Sequence, residues 1–309
     1  MKRNTLFLVF MFSLLLMLFL SGNSGTAAPV PPRQHASSSN LEKLPLTTMP
    51  IPTSNWDIQP VDAPSQFTNM EDRGLVLDAS GYPHIAYGSD HLYYAWHDGT
   101  RWHYEVVDPA PLVGEYASLQ LDTLGYPHIS YYDAKNGDLK YAHFDGAAWQ
   151  TEIADSVGDV GSYNSLVLDA VGRPHISYLV SWDICDLRYA YFDGSSWITE
   201  TVDSEGWVGL SSSLALDSNG YPHISYYEFG EHQLKYARYD GATWHIEIVA
   251  SQLPSWGEST SLVLDAFDYP HISYFGYESY ISLLKYAYFD GTEWIKQTCL
   301  LYTSPSPRD

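Results

Sequence analysis

One block of sequence occurs five times in this chain of 309 residues and constrains the fold more than any other feature. The block reads Leu-Asp-x-x-Gly-Tyr-Pro-His-Ile-Ser-Tyr and is followed by Leu-Lys-Tyr-Ala-x-Phe-Asp-Gly-x-x-Trp. Its copies are 44, 47, 48 and 48 residues apart, and their Pro-His pairs begin at Pro83, Pro127, Pro174, Pro222 and Pro270. This period, with several short strand-like runs in each copy, is typical of a β-propeller.

Each copy predicts four strands, which in the second repeat cover residues 118–122, 127–132, 139–144 and 149–153. The first two strands are joined by Asp-x-x-Gly, a turn in which glycine takes a left-handed conformation without strain. The fifth repeat has Asp268 there, a residue type that tolerates this conformation. An Asp-Gly pair joins the third and fourth strands and is a strong hairpin signal. We therefore predict an all-β propeller of four-stranded antiparallel blades.

An unpaired strand precedes the first repeat. Residues 55–62, beginning Asn55-Trp56, match a fourth strand such as Trp149 to Asp155, yet the fifth repeat already has its own fourth strand from Trp294. Propellers commonly close by combining strands from both termini, so we predict a native ring of six to eight blades. Within 55–298 the five repeats cover about 73–108, 117–155, 164–203, 212–250 and 260–298.

The two ends of the chain fall outside the repeats. Residues 1–27 have a basic start and an apolar run that is shorter than a full membrane span, so they predict a signal peptide, and a single N-terminal membrane anchor is the alternative. Residues 28–54 are rich in Pro and Ser and predict a flexible linker. Residues 299–309 resemble a translated sequencing adapter, which indicates a truncated gene. We expect a secreted, extracellular or cell-surface protein with no membrane insertion after signal cleavage.

The charge balance limits the partners. The chain has 37 acidic and 15 basic residues and a formal net charge of −22. Such a surface repels nucleic acid and anionic membranes, so we expect no nucleic-acid partner. Neutral glycans, protein surfaces, cationic groups or divalent metals are compatible with it. Cys185 is the one cysteine within the repeats, so no disulfide framework is predicted there.

Every repeat carries an Asp, a His and a Trp at matching positions, and these residues allow two interpretations. They could form a catalytic or metal-binding set, or a hydrogen-bond network that maintains each blade. Chemistry on one substrate needs an asymmetric group of residues, whereas these recur around the ring, so the structural interpretation is preferred. The residues are Asp78, His84, Trp102, Asp122, His128, Trp149, Asp169, His175, Trp197, Asp217, His223, Trp244, Asp265, His271 and Trp294.

A Trp-x-x-Glu motif recurs in the fourth strands. Paired carboxylates suit glycoside hydrolysis, but one Glu per blade places these groups far apart. We expect each Trp to fill the gap between blades and each Glu to be solvated or paired across strands. A sugar-binding pocket at each blade junction is the alternative. The Glu residues are Glu105, Glu152, Glu200 and Glu247.

The segments that do not repeat are the candidate binding loops. They join the second strand to the third and one blade to the next, and in a propeller these loops share one face. Aromatic rings beside carboxylates suit neutral sugars, and clustered acids are compatible with a divalent cation such as calcium, although no cofactor is required. Ordinary polar loops are the alternative. The candidates are Trp182, Asp183, Asp186, Glu205, Trp207, Glu231, Trp256, Glu258, Tyr277 and Tyr280, with Tyr116 and Tyr163 in blade connections.

Residues 55–298 resemble the bacterial propeller families that include sialidases and fucose-binding lectins. The Phe-Asp-Gly-x-x-Trp element is similar to the Asp-box turn of sialidases, but it is one residue shorter and lacks the Ser. The resemblance implies an arginine triad for a sialidase, which this sequence does not provide, and an Arg in each blade pocket for a fucose lectin. The nearest candidates for that Arg are Lys140, Arg188, Lys235 and Lys285.

Three functions remain open from the sequence. The first, which we prefer, is an extracellular binding module, lectin-like and carbohydrate-binding, with its ligand on the variable-loop face. The second is a glycoside hydrolase or lyase of sialidase-like fold, and the third is a surface scaffold without a small ligand. The chain contains no phosphate-binding loop, nucleophile elbow or zinc-protease motif.

Overall fold

The computed structural model describes residues 73–299 except 182, 252, 254–258 and 279–280. In this part of the chain, twenty strands form five four-stranded antiparallel sheets, and each sheet contains four strands that are consecutive in sequence. The prediction of an all-β propeller of four-stranded blades is confirmed. The predicted signal peptide, linker and unpaired strand lie outside the described residues.

The strand bounds follow the repeat. Blade 1 has β1 (Leu75–Leu77), β2 (Pro83–Gly88), β3 (Leu92–His97) and β4 (Trp102–Asp108). Blade 2 has β5 (Val113–Leu121), β6 (Pro127–Asp133), β7 (Asp138–Phe144) and β8 (Trp149–Asp155). Blade 3 has β9 (Val160–Leu168), β10 (Pro174–Val180), β11 (Asp186–Phe192) and β12 (Trp197–Asp203). Blade 4 has β13 (Leu210–Leu216), β14 (Pro222–Glu228), β15 (Gln233–Tyr239) and β16 (Trp244–Ala250). Blade 5 has β17 (Thr260–Leu264), β18 (Pro270–Glu278), β19 (Ile281–Phe289) and β20 (Trp294–Thr298).

The turn between the first and second strands is set by its aspartate. In blade 1 the Oδ1 atom of Asp78 accepts the backbone N–H groups of Ser80 and Tyr82, each at 2.8 Å. Gly81 then takes a φ of 84°, a value that favours glycine because a side chain would be strained there. Asp268 takes the equivalent position in blade 5 with a φ of 62°, as the sequence predicts. The same turn chemistry therefore joins the first two strands in all five blades.

The first strands of blades 2 and 3 begin earlier than the sequence predicts. Both β5 and β9 have nine residues and contain register shifts against the second strand. Tyr116 and Tyr163, expected in blade connections, lie inside these strands with φ values of 55° and 51°. Their rings are 4.8 Å apart, so the bulges direct two aromatic side chains of adjacent blades toward each other.

The apolar core lies between the blades. Four core clusters combine residues of adjacent sheets, and one of them joins Leu92 and Tyr94 of blade 1 to Leu119 and Ile129 of blade 2. The other three clusters occupy the following junctions. A blade is apolar on both faces, so each sheet depends on its neighbours to bury that surface.

The repeated tryptophan links successive blades. Nε1 of Trp197 in blade 3 donates to Oε2 of Glu152 in blade 2 at 3.1 Å. The Trp197 ring also meets Tyr141 of blade 2 edge-on, with ring centroids 5.3 Å apart. The other Trp-Glu bonds are Trp149 to Glu105, Trp244 to Glu200 and Trp294 to Glu247. Each Glu is thus an acceptor for the next blade, a contact that the sequence did not indicate.

The first strands of four blades line a common cavity. A cavity of about 500 Å³ opens among the ends of these strands in blades 2 to 5, at Leu121, Leu168, Leu216 and Leu264. Farther along the strands, the Arg73 guanidinium donates to the carbonyl oxygens of Asn164 at 3.4 Å and Thr260 at 3.2 Å. One side chain beside β1 therefore contacts blades 3 and 5.

Replacing Trp197 with Phe tests the link between blades. The substitution keeps an aromatic ring but removes the donor to Glu152, and we expect it to lower the free energy of unfolding by about 1 kcal/mol. Trp102→Phe is the matched control, because the buried Nε1 of Trp102 has no acceptor among the described residues. Loss of the Trp102 Nε1–H group should leave the free energy of unfolding unchanged or raise it. Urea unfolding measures both, and equal destabilisation by the two variants would contradict the hydrogen bond's contribution.

Candidate functional site

The repeated histidines are held within their own blades. In each blade, Nδ1 of the histidine that follows the Pro is hydrogen-bonded to a tyrosine hydroxyl on the third strand, for example His175 to Tyr189. The other ring nitrogen of His175 lies 3.8 Å from Oδ2 of Asp169, the turn aspartate of the same blade. The remaining His-Tyr pairs are His84 with Tyr94, His128 with Tyr141, His223 with Tyr236, and His271 with Tyr286.

Burial lowers the pKa of four of these imidazoles and favours their neutral form. Loss of solvent lowers the pKa of His128 and of His175 to about 4, against the opposing effect of the neighbouring turn aspartates. The pKa of His84 and of His223 is lowered for the same reason. The described residues contain no group of three or more His, Cys, Asp or Glu side chains placed to hold a metal ion.

A second repeated contact joins the end of one blade to the next. Asp108, the last residue of β4, accepts a hydrogen bond from the Tyr131 hydroxyl at 2.8 Å and forms an ion pair with Lys140. Burial disfavours the Asp108 carboxylate, but these donors and the Ala110 N–H hold its pKa below the usual value. Equivalent sets are Asp155 with Tyr178 and Arg188, and Asp203 with Tyr226 and Lys235.

These ion pairs change the interpretation of the candidate lectin cations. The fucose-lectin resemblance implies a sugar-binding Arg or Lys in each pocket, but Lys140, Arg188 and Lys235 each contact an aspartate of the preceding blade. The sequence analysis did not identify the aspartates or the tyrosines of these sets. The aspartates recur at the end of the fourth strand and the tyrosines recur in the second strand. This regular spacing was the signal that could have identified them.

The candidate binding residues fall into three groups. Trp182, Trp256, Glu258 and Tyr280 lie outside the described residues, and for Tyr277 only the backbone in β18 is described. Asp183 is exposed in the β10–β11 loop, and Asp186 is half-buried at the start of β11, where burial raises its pKa. Glu205, Trp207 and Glu231 come together at the junction of blades 3 and 4.

This junction contains a cavity of about 560 Å³. Its lining combines the exposed Glu205 and Glu231 with the buried Asp203, Glu228 and Lys235. The Glu228 carboxylate accepts the backbone N–H groups of residues 230 and 231, at 2.8 and 2.6 Å, so its direction is fixed by its own loop. Gly206 has a φ of 93°, a left-handed conformation that favours glycine, and a Cβ atom there would lie 2.9 Å from Glu228 Oε1.

An aromatic pair stands beside the cavity. Trp207 follows the lining residue Gly206, and Phe229 follows Glu228. The two rings are nearly parallel, with centroids 5.6 Å apart and an interplanar angle of 14°. Trp207 is 54% exposed, and its carbonyl oxygen accepts the Phe229 N–H at 2.9 Å. Phe229 and Glu228 lie in the same variable loop as Glu231, although neither was among the candidate binding residues.

Comparison with solved structures identifies the fold. A polysaccharide lyase, an ulvan lyase bound to a GlcA–Rha3S chain, is 15% identical over 74% of this chain and 70% of its own, with a TM-score of 0.54. The SapL1 lectin in complex with α-methyl fucoside is 14% identical over 72% of this chain and 79% of its own, with a TM-score of 0.50. An intramolecular trans-sialidase from Ruminococcus gnavus is 15% identical over 64% and 50%, with a TM-score of 0.45.

These matches define the class of protein. The chain is a β-propeller, and the resemblance to fucose-lectin propellers is confirmed at the level of the fold. No protein-family model matches the chain, and no curated protein sequence matches it. Within the described residues, no helix is long and apolar enough to cross a membrane.

The buried histidines predict a loss of stability in acid. Their pKa is near 6.5 in the unfolded chain and about 4 in the fold for His128 and His175, so between these values the unfolded state binds more protons. The free energy of unfolding should be retained above pH 6.5 and fall as the pH decreases from 6.5 to 4. Thermal unfolding at several pH values measures this dependence.

Two variants test the contribution of the buried histidines. His175→Gln removes one titrating group and should reduce the loss of stability between pH 6.5 and 4. His128→Gln removes the other imidazole whose pKa is lowered to about 4, and it should reduce this loss to a similar degree. If His175→Gln loses as much stability in acid as the unmodified protein, burial of this imidazole is not the cause.

Proposed function

We propose that this protein is a secreted or cell-surface β-propeller that binds carbohydrate on the face formed by its variable loops. The ligand site is the cavity between blades 3 and 4. The observation that carries this proposal is the exposed Trp207–Phe229 pair beside a cavity lined by Glu205, Glu228 and Glu231. An aromatic face accepts the C–H surface of a pyranose, and carboxylates accept hydrogen bonds from sugar hydroxyls.

Charge selects among glycans. Of the four carboxylates in the lining, Asp203 is paired with Lys235 at 2.6 Å, whereas Glu205 and Glu231 are exposed. The whole chain also has a net charge of −22. Both features oppose binding of a polyanionic glycan at this cavity and favour a neutral or amino-bearing sugar. The matched lectin and lyase, whose structures contain a fucoside and an acidic disaccharide, support a carbohydrate ligand in general rather than a particular sugar.

A glycan array of neutral, amino and acidic sugars tests the proposal. We expect retention of one class of neutral or amino-bearing glycan, with at least tenfold weaker binding after Trp207→Ala or Glu231→Gln. Tyr104→Ala is the matched control, since Tyr104 is 51% exposed in β4 and away from the cavity. Titration calorimetry with the retained glycan measures the affinities.

Two results would contradict the proposal. Absence of binding to every glycan on the array would favour a scaffold without a small ligand. Turnover of an aryl glycoside or polysaccharide that a single Glu or Asp substitution abolishes would favour the enzyme alternative. Equal binding by Trp207→Ala and Tyr104→Ala would place the glycan elsewhere on the propeller.

A further inference from the structure

One blade junction lacks the carboxylate that the three preceding junctions contain. Asp108, Asp155 and Asp203 end the fourth strands of blades 1 to 3, and each pairs in register with a leucine of the third strand. Blade 4 has Ala250 at this position, paired with Leu234. The substitution therefore removes one carboxyl group from the junction of blades 4 and 5 and leaves the backbone register unchanged.

The two donors that contact this carboxylate elsewhere are both present in blade 5. Tyr274 in β18 pairs in register with Lys285 in β19, as Tyr131 pairs with Lys140 in blade 2. The same pairing holds for Tyr226 and Lys235 in blade 4. Ala250 and Tyr274 belong to one core cluster, and Tyr274 and Lys285 take the register positions in blade 5 that the tyrosine and the cation take at the other junctions.

Neither donor has a polar partner among the described residues. Tyr274 is 3% exposed, and its hydroxyl forms no hydrogen bond with any described side chain or backbone group. Lys285 forms no ion pair or hydrogen bond with this part of the chain, and its aliphatic chain lies beside Gly276. Burial raises the pKa of Tyr274 to about 12, so its hydroxyl stays protonated and can donate. A half-buried cation without a counterion is unfavourable, and an acceptor placed beside the Tyr274 hydroxyl would add a hydrogen bond.

We propose that the junction of blades 4 and 5 binds the carboxylate of a small ligand, in the place that an aspartate side chain fills at the other three junctions. One carboxylate oxygen accepts from Tyr274, and the ligand's charge pairs with Lys285. A planar carboxylate is favoured over sulfate or phosphate because an aspartate makes these contacts in blades 1 to 3. The net charge of −22 opposes polyanions, so the ligand carries a single acidic group, as in an acidic monosaccharide. This site is separate from the proposed sugar cavity.

Calorimetric titration of the purified full chain with methyl glucuronide tests this assignment. Methyl glucoside is the control that lacks the carboxylate. Sulfate tests whether an anion of a different class binds at the site. We expect binding of the glucuronide alone. Lys285→Met should weaken it at least tenfold, and Lys285→Arg should retain it. Ala250→Asp should abolish it, since the chain's own carboxylate would then occupy the site, and should leave the melting temperature equal to or above that of the unmodified protein.

The outcomes separate this site from the other proposal. Trp207→Ala should leave glucuronide binding unchanged, even if it abolishes binding at the cavity of blades 3 and 4. Unchanged glucuronide affinity in Ala250→Asp or in Lys285→Met overturns the assignment, as does equal binding of the glucoside. Binding of sulfate without glucuronide overturns the carboxylate class. If Ala250→Asp fails to fold, the contrast between the Met and Arg variants of Lys285 decides the question.

Discussion

Burial of two apolar faces on every sheet is the constraint on which this structure depends. A four-stranded blade of this sequence cannot cover its own hydrophobic surface, and the core clusters accordingly lie between sheets rather than inside them. The polar contacts follow from this arrangement. The Trp-Glu bond and the Asp-Tyr-cation set both cross the junctions, and each fixes the position of one sheet relative to the next.

Much of the fold could be predicted because it is local and repeated. The Asp-x-x-Gly turns, the Asp-Gly hairpins and the Pro that begins each second strand depend on backbone chemistry within a few residues, so five copies of the motif specify five sheets. The bulged starts of β5 and β9 could not be predicted in this way. Tyr116 and Tyr163 have left-handed backbone conformations that depend on packing against another blade, and such packing is invisible in a linear pattern.

The site was predictable in its location but only partly in its composition. Variability between repeats indicated the loops that contain Glu205, Trp207 and Glu231, because residues that do not repeat cannot serve the shared architecture. The aspartates that end the fourth strands were missed for the opposite reason. Asp155 and Asp203 repeat, yet their partners lie in the following blade, some 23 residues or more away, and their pairing became visible only in three dimensions.

The hydrogen bonds of Arg73 couple the unfolding of separate blades. Repeat proteins whose units contact only their neighbours lose structure unit by unit, and their cooperativity decays with length. The guanidinium of Arg73 joins the edge of blade 1 to backbone carbonyls of blades 3 and 5, which are not neighbours of blade 1 in sequence. Loss of structure around Arg73 therefore also breaks contacts with blades 3 and 5, and this long-range coupling favours cooperative unfolding of the three blades.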